Sequence, residues 1–256
     1  MLINVILQAR LSSTRLPGKV LKKIVNKPML ALQLERVHRS KLVNKIIVAT
    51  STEKEDDAII NLCEELNIPY FRGSLDDVLG RYYHAAKQYA CDHIVRLTGD
   101  CPLIDPEIID KVIALHLEKN ADYTSNCLTP CLPDGLDVEI FTNAALAHSF
   151  NQAKKPSERE HVTQYIRNHA ERFIIENYRY EPNLSEQRWT VDEPNDFELV
   201  KQIYNNLYHI KTDFTLNDVL TLLTEQPHLK EINNQYNRNQ GLEASIVLDK
   251  ELGFDK

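Results

Sequence analysis

The chain has 256 residues, an apolar fraction of 43%, a charged fraction of 26% and a formal net charge of −7. Those values suit a soluble globular protein of one large domain or two small ones. The acidic balance argues against a general nucleic-acid coat or an anionic membrane surface as partner, since both call for net positive charge. The five cysteines (Cys63, Cys91, Cys101, Cys127, Cys131) are odd in number and contain no CxxC pair, so they read as reduced thiols of a cytosolic protein. No basic cleavable leader and no apolar run of membrane-spanning length is visible, so the chain reads as cytoplasmic.

In chain order, Ile3–Leu7 is an apolar, strand-like run. Pro28–Arg39 has helical spacing, Lys45–Ala49 is a second strand and Glu53–Leu66 a second helix. A short strand at Ile68–Phe71 precedes a helix over Leu75–Ala90, capped by Ser74 and reinforced by Asp77. His93–Leu97 is a strand ending in Thr98-Gly99-Asp100, and Asp105-Pro106 opens a helix to Leu117. Strands separated by helices of this length imply βαβ units and a mostly parallel sheet.

The second half changes character. Leu136–Phe141 alternates, with Asp137 and Glu139 on one face. Ser157-Glu158-Arg159-Glu160 has capping-box spacing and opens a helix to about Asn168. Arg172–Tyr178 and Arg188–Val191 read as strands, and Pro194 opens a helix to about Tyr208. Past Pro227 the chain turns polar, and a loosely packed or partner-docked tail over 227–256 is expected. Residues 1–226 read as one domain, with a projecting subregion at about 121–180.

The stretch after the first strand is the most informative. It places Arg10, Arg15 and Lys19 among hydroxyls, at the carboxyl end of a buried strand, where open α/β sheets bind ligands. The chain has only seven glycines, and this loop contains just Gly18. It is neither a dinucleotide fingerprint nor a P-loop, both of which cradle phosphate with backbone N–H groups. Such a loop either holds a polyanion with side chains, through Arg forks and a Lys point charge, or is a solvated basic surface turn; its place directly after a buried strand favours the first.

Gln8-Ala9-Arg10-x-x-Ser13-Thr14-Arg15-Leu16-Pro17-Gly18-Lys19 resembles the signature of the CMP-sugar synthetases, the cytidylyltransferases of octulosonate and sialate. Within them the chain is most similar to the SpsF-like spore-coat polysaccharide group. Further matches follow in order: Phe71-Arg72-Gly73-Ser74 with Asp77-Val78-Leu79, Leu97-Thr98-Gly99-Asp100-Cys101-Pro102, Asp134-Gly135-Leu136-Asp137-Val138-Glu139, Ser157 to Thr163, and Arg188-Trp189-Thr190-Val191-Asp192-Glu193-Pro194. The resemblance covers about residues 2–205. One departure is Ser12, where SpsF-like loops usually carry Gly.

The resemblance implies a three-layer α/β/α, Rossmann-like nucleotide-diphospho-sugar transferase fold with a mostly parallel mixed sheet. It implies CMP transfer from CTP to an acidic sugar or related small acceptor, and a homodimer. Arg10, Arg15 and Lys19 then meet the triphosphate, with Gln8, Ser13, Arg72 and Asp77 around the nucleotide. Arg10, Lys19 and Asp100 are the catalytic candidates. Asp100 follows a strand at the same sheet edge as the Arg10 loop, Asp192 follows the short strand Arg188–Val191, and both match the Mg²⁺ ligands of the octulosonate enzymes. A hard cation of that kind needs one or two protein carboxylates plus phosphates. Asp192 also suits a helix cap, and Arg72 a surface position. Backbone around Leu7–Arg10 and Asp77–Leu79 is expected to read the base.

For the acceptor, Asp137 and Glu139 share a strand face and can accept hydrogen bonds from sugar hydroxyls. The same pattern fits a solvated outer face. Glu158 and Glu160 are favourable at a helix start for structural reasons alone. Arg159 and His161 are not, and together with Asn126 they are acceptor candidates. A glycosyltransferase consuming a nucleotide sugar and a catalytically silent nucleotide-binding protein are the competing readings. The first lacks its usual Asp-x-Asp motif here.

Overall fold

The computed structural model of the chain describes residues 1–236, 238 and 240–254. Strand β1 (Ile3–Gln8) has Val5, Ile6 and Leu7 fully buried. Val5 and Leu7 join one core and Ile6 the other, the alternation a strand imposes. A small hairpin of β2 (Lys23–Ile24) and β3 (Lys27–Pro28) leads into α1 (Met29–Val37). Strand β4 (Lys45–Ser51), α2 (Asp57–Glu65), β5 (Tyr70–Gly73), α3 (Val78–Gln88), β6 (His93–Thr98) and α4 (Pro106–Lys119) follow. The second half adds β7 (Tyr123–Ser125), β8 (Glu139–Thr142), α5 (Asn143–Gln152), α6 (Pro156–Glu160), α7 (Gln164–Asn168) and β9 (Ile175–Asn177). It closes with α8 (Pro194–Leu207), α9 (Leu216–Glu225) and α10 (Gln240–Glu251).

The main sheet has the order β5-β4-β1-β6-β8-β7-β9. The β5, β4, β1 and β6 strands run parallel, and β8 is antiparallel to both neighbours. This is the mostly parallel mixed α/β sheet that the sequence implies. The chain steps outward from β1 to β5, then crosses back to β6 on the other side of β1. Right-handed crossovers therefore place α1 and α2 on one face and α3 on the other. Apolar residues of α1, α2, α4 and α8 form one core, and those of α3, α5 and α7 the second. The reversal leaves a crevice beyond the carboxyl ends of β1 and β6, and the site lies there.

Several boundaries differ from expectation. Helix α3 starts at Val78, with the Asp77 side chain as its cap accepting from Gly80 N at 2.9 Å. Ser74 instead accepts from Asp77 N at 3.2 Å, one turn earlier. The helix expected from Ser157 to Asn168 is broken into α6 and α7. Val162 takes φ +51° at the break, and Thr163 Oγ1 donates to Glu139 at 2.7 Å. Ser157 does not cap; its N and Oγ donate to Asp249. Leu136–Val138 stays outside β8, and Arg188–Val191 forms only an isolated bridge, Asp134 to Arg188.

The tail also departs from expectation. Residues 237, 239, 255 and 256 lie outside the described residues, but the remainder folds back on its own chain, with α10 packed on α6. Asn233, Arg238, Ser245 and Asp249 find internal partners, which is how so polar a segment comes to be packed. No helix among the described residues is long and apolar enough to cross a membrane.

Candidate active site

A cleft of about 400 Å³ opens beyond β1 and β6. One end is formed by the loop leaving β1. That loop is held from behind: Leu11 N donates to Asp56 at 2.8 Å, and Gly18 N donates to the Leu11 carbonyl at 3.1 Å. Gly18 turns at φ +66°, a conformation that favours glycine. Ser13 Oγ accepts from Leu16 N at 3.3 Å inside the turn. The result aims Arg10, Arg15 and Lys19 into the cleft. Arg10 is exposed and makes no hydrogen bond or ion pair among the described residues.

Lys19 is buried and sits between two carboxylates. Its Nζ lies 2.8 Å from Asp192 Oδ1 and 3.4 Å from Asp100 Oδ2, and it donates to the Val191 carbonyl at 2.7 Å. Burial opposes its charge, but Asp100 and Asp192 outweigh that and raise the ammonium pKa. For Asp100, burial opposes ionisation; Lys19 and the Thr98 hydroxyl at 2.5 Å overcome it and hold the carboxyl below its usual range.

Asp192 reaches this point because residues 190–191 pair with Asp100: Val191 N and Thr190 Oγ1 both donate to its carbonyl. Behind this pairing, Gly135 (φ +108°) lies so close that a Cβ would sit 2.4 Å from Thr190 N. Arg15 Nη2 meets Asp192 at 3.1 Å and its Nη1 meets Glu193 at 3.2 Å. Arg188 holds the opposite side of Asp192 at 3.3 Å while binding Asp196 through Nε and Nη2, both at 2.9 Å.

Two carboxylates converging on one cationic atom form a hard-oxygen pair of the kind Mg²⁺ accepts when phosphates and water complete its shell. Among the described residues, no group of three or more His, Cys, Asp or Glu side chains is arranged to hold a metal by itself. The pair therefore fits an ion delivered with a polyphosphate better than a permanently caged one.

The far end of the cleft is built around Glu139. Its carboxylate pairs with Arg96 and with Arg167 at 2.8 Å, and accepts from Tyr123 OH at 2.5 Å and Thr163 Oγ1 at 2.7 Å. Burial opposes its charge, but the two guanidinium groups hold its pKa far below the carboxylate range. Asp137 pairs with Arg238, and Asp134 with Arg188 at 3.0 Å. Burial first, then the neighbouring Asp137, push Asp134 up to about 7. Burial also raises Asp137, against the pull of Arg238.

Of the residues singled out in the sequence, Gln8, Arg10, Ser13, Arg15, Lys19, Asp100, Asp137, Glu139, His161 and Asp192 line one cleft. Four lie off it. Arg72 is spent on the Ser51 and Glu53 carbonyls and on Asp57. Asp77 caps α3 and pairs with Arg159, whose Nη1 also donates to the Phe150 carbonyl. Asn126 is buried, holding Leu136 O and Val138 N as a strand partner would. Of Asp77–Leu79, Val78 lines the cleft. Glu139 is buried, so the solvated-face alternative does not hold for it.

Sequence reasoning missed Arg96, Arg167 and Arg188. Arg96 had a signal, a lone charge inside the apolar strand His93–Leu97; Arg188 stood in a quoted motif with no role attached.

The sequence profile of the cytidylyltransferase family matches residues 4–226, and the chain belongs to that family of nucleotidyltransferases. It is 40% identical over 231 residues to an uncharacterized protein of Methanocaldococcus jannaschii, covering 90% of this chain and 93% of that one. It is 33% identical to the spore coat polysaccharide biosynthesis protein SpsF of Bacillus subtilis, covering 87% of this chain and 94% of SpsF. A cytidylyltransferase structure from Leptospira borgpetersenii superposes with a TM-score of 0.87 at 33% identity, over 93% of this chain and all of that one.

Proposed function

We propose that this enzyme transfers CMP from CTP to an acidic sugar or related small acceptor, with Mg²⁺ as cofactor, for surface polysaccharide synthesis. The observation that carries the reading is the convergence of Asp100 and Asp192 on Lys19, at the mouth of the Arg10–Lys19 loop. A nucleophilic oxygen of the acceptor attacks the α-phosphorus of CTP in line. The new P–O bond forms as the α–β anhydride bond breaks, and pyrophosphate leaves. Such chemistry asks the protein mainly to position groups and neutralise charge.

Arg10, which carries no partner among the described residues, and Arg15, which can exchange Asp192 and Glu193 for phosphate oxygens, grip the triphosphate. Lys19, kept charged by its two carboxylates, stays beside the phosphates throughout. Asp100 and Asp192 would hold the Mg²⁺, which, when bound, neutralises phosphate charge. The far end, with Arg96, Arg167, Asp137 and His161, holds the acceptor, and Glu139 fixes both arginines.

The test is pyrophosphate release with Mg²⁺, each of the four nucleoside triphosphates, and a panel of acidic sugars and phosphorylated alcohols. Release that requires CTP and one acceptor class is the expected result. Transfer from a nucleotide sugar without pyrophosphate, or CTP binding with no turnover on any acceptor, counts against it.

A further inference from the structure

The family match stops at residue 226, yet the chain beyond it reaches the cleft. Asn233 is buried, and its Nδ2 donates to the Arg188 carbonyl at 3.0 Å and to Asp196 at 2.8 Å. It thereby braces the residues behind Asp192. Arg238 pairs with Asp137 and donates to the Leu132 carbonyl at 3.1 Å. In α10, Leu242 lines the cleft, and Ser245 hydrogen-bonds His161 at 2.9 Å and donates to Glu160 at 2.8 Å. Further along, buried Asp249 accepts from the N and Oγ of Ser157 at the start of α6.

These contacts share a direction. They fall on the segment before β8 and on α6 and the break after it, which border the far end of the cleft, and on the extended stretch carrying Arg188, which links Asp134 there to Asp192. Asn233, Arg238 and Asp249 make no hydrogen bond or ion pair with the Arg10–Lys19 loop or with Asp100 among the described residues. The local charge explains why an arginine stands at 238. Asp134, Asp137 and Glu139 bring three carboxylates to one wall; Glu139 uses Arg96 and Arg167, Asp134 uses Arg188, and Asp137 depends on Arg238. A half-buried carboxylate beside two others is costly without such a partner.

We propose that this C-terminal segment is the outer wall of the acceptor site. Arg238 and Leu242 close the end of the cleft remote from the triphosphate grip, and the acceptor binds against them. What binds there rests on the nucleotidyl-transfer reading; that the wall closes this end does not.

Cys127 lines the cleft and reports on the wall. Two full-length variants loosen the wall at separate places, Arg238→Gln behind the cleft-lining Asp137 and Asp249→Ala at the distant anchor. Alkylation of Cys127 by N-ethylmaleimide, followed by peptide mass spectrometry, is expected to accelerate about 10-fold in both. Buried Cys63 and Cys91 keep their wild-type rates. Loss of the nearby Arg238 cation by itself disfavours the reactive thiolate, so acceleration in that variant reports opening and not charge.

Two results overturn the wall: unchanged Cys127 rates in every variant that keeps the wild-type circular dichroism, or Cys63 and Cys91 accelerating in step with Cys127. CTP affinity, titrated on the same samples, stays within about two-fold if the wall serves the acceptor end alone; a larger loss overturns that division. Wild-type protein that fails to bind CTP defeats the nucleotidyl-transfer reading and leaves the thiol result standing.

Discussion

The two ends of the cleft hold charge in opposite ways. At the end proposed to hold the nucleotide, the donor end, Arg10 makes no hydrogen bond or ion pair among the described residues, and the Arg15 side chain is 38% exposed and paired with Asp192 and Glu193. At the far end Glu139 is 4% exposed, and both its oxygens are occupied by buried or half-buried donors. The first arrangement leaves Arg10 and Arg15 able to change partners, while Lys19 alone stays buried between Asp100 and Asp192. The second spends its charges on one another and yields a rigid surface. A triphosphate needs neutralising; an acceptor needs a fixed shape to be told from its relatives. Buried ion pairs are poor sources of net stability, but they fix orientation well.

This contrast can be broken in four places. Asp100→Asn at the donor end is expected to lower turnover by about 10³-fold with an unchanged fold. Pyrophosphate release and circular dichroism check it, and near-normal turnover would sink the assignment of Asp100.

Glu139→Gln should do the reverse, acting first on the fold. It leaves Arg96 and Arg167 without their anion, at a cost of about 3–5 kcal/mol and a melting temperature lower by roughly 10 °C. A calorimetric scan showing a wild-type midpoint would mean that the Glu139 cluster is not the rigid element described.

Asp134 sharpens the comparison through pH. Its folded pKa, about 7, lies above the ordinary carboxyl value of 3.8. Folding therefore takes up a proton between those values, and this group's contribution to stability falls as pH rises through the window. Asn carries no such charge, so Asp134→Asn should gain on the wild type between pH 5 and pH 8. The gain is on the order of 1 kcal/mol, or roughly 2–4 °C. A difference in melting temperature that stays flat with pH would refute it.

The smallest effect is expected at Arg72, which sits off the cleft. Arg72→Ala should change CTP affinity by less than about two-fold and stability by about 1 kcal/mol or less. A tenfold loss of CTP affinity in a titration would return Arg72 to the nucleotide site.

The donor end was the more legible in the sequence, for a physical reason. Its cations lie within ten residues, on a loop fed by a buried strand, and Asp100 lies two residues past the end of the neighbouring strand in the sheet. Local spacing and strand order sufficed. The far end of the cleft draws on residues from 96 to 242, and its ion pairs join positions as far apart as Asp137 and Arg238. Residues chosen there by type alone divided accordingly: Asp137, Glu139 and His161 reached the cleft, while Asn126 and Arg159 went to structural bonds. The helix expected over 157–168 shows the same limit. Ser157 turned to Asp249 instead of capping, the capping box formed at Lys155 and Glu158, and the helix breaks at Val162, beside which Thr163 bonds Glu139.

By itself the sequence determined the alternation of strands and helices, the sheet's parallel core and the family, because these depend on periodicity and on contiguous motifs. Only the tertiary structure decided which charges are spent and which are available. It closed Arg72 and Arg159 into private ion pairs and brought Arg96, Arg167 and Arg188 into the site. It also turned a polar tail into part of the cleft. A side chain's partners are set by packing between distant segments, and no spacing along the chain records them.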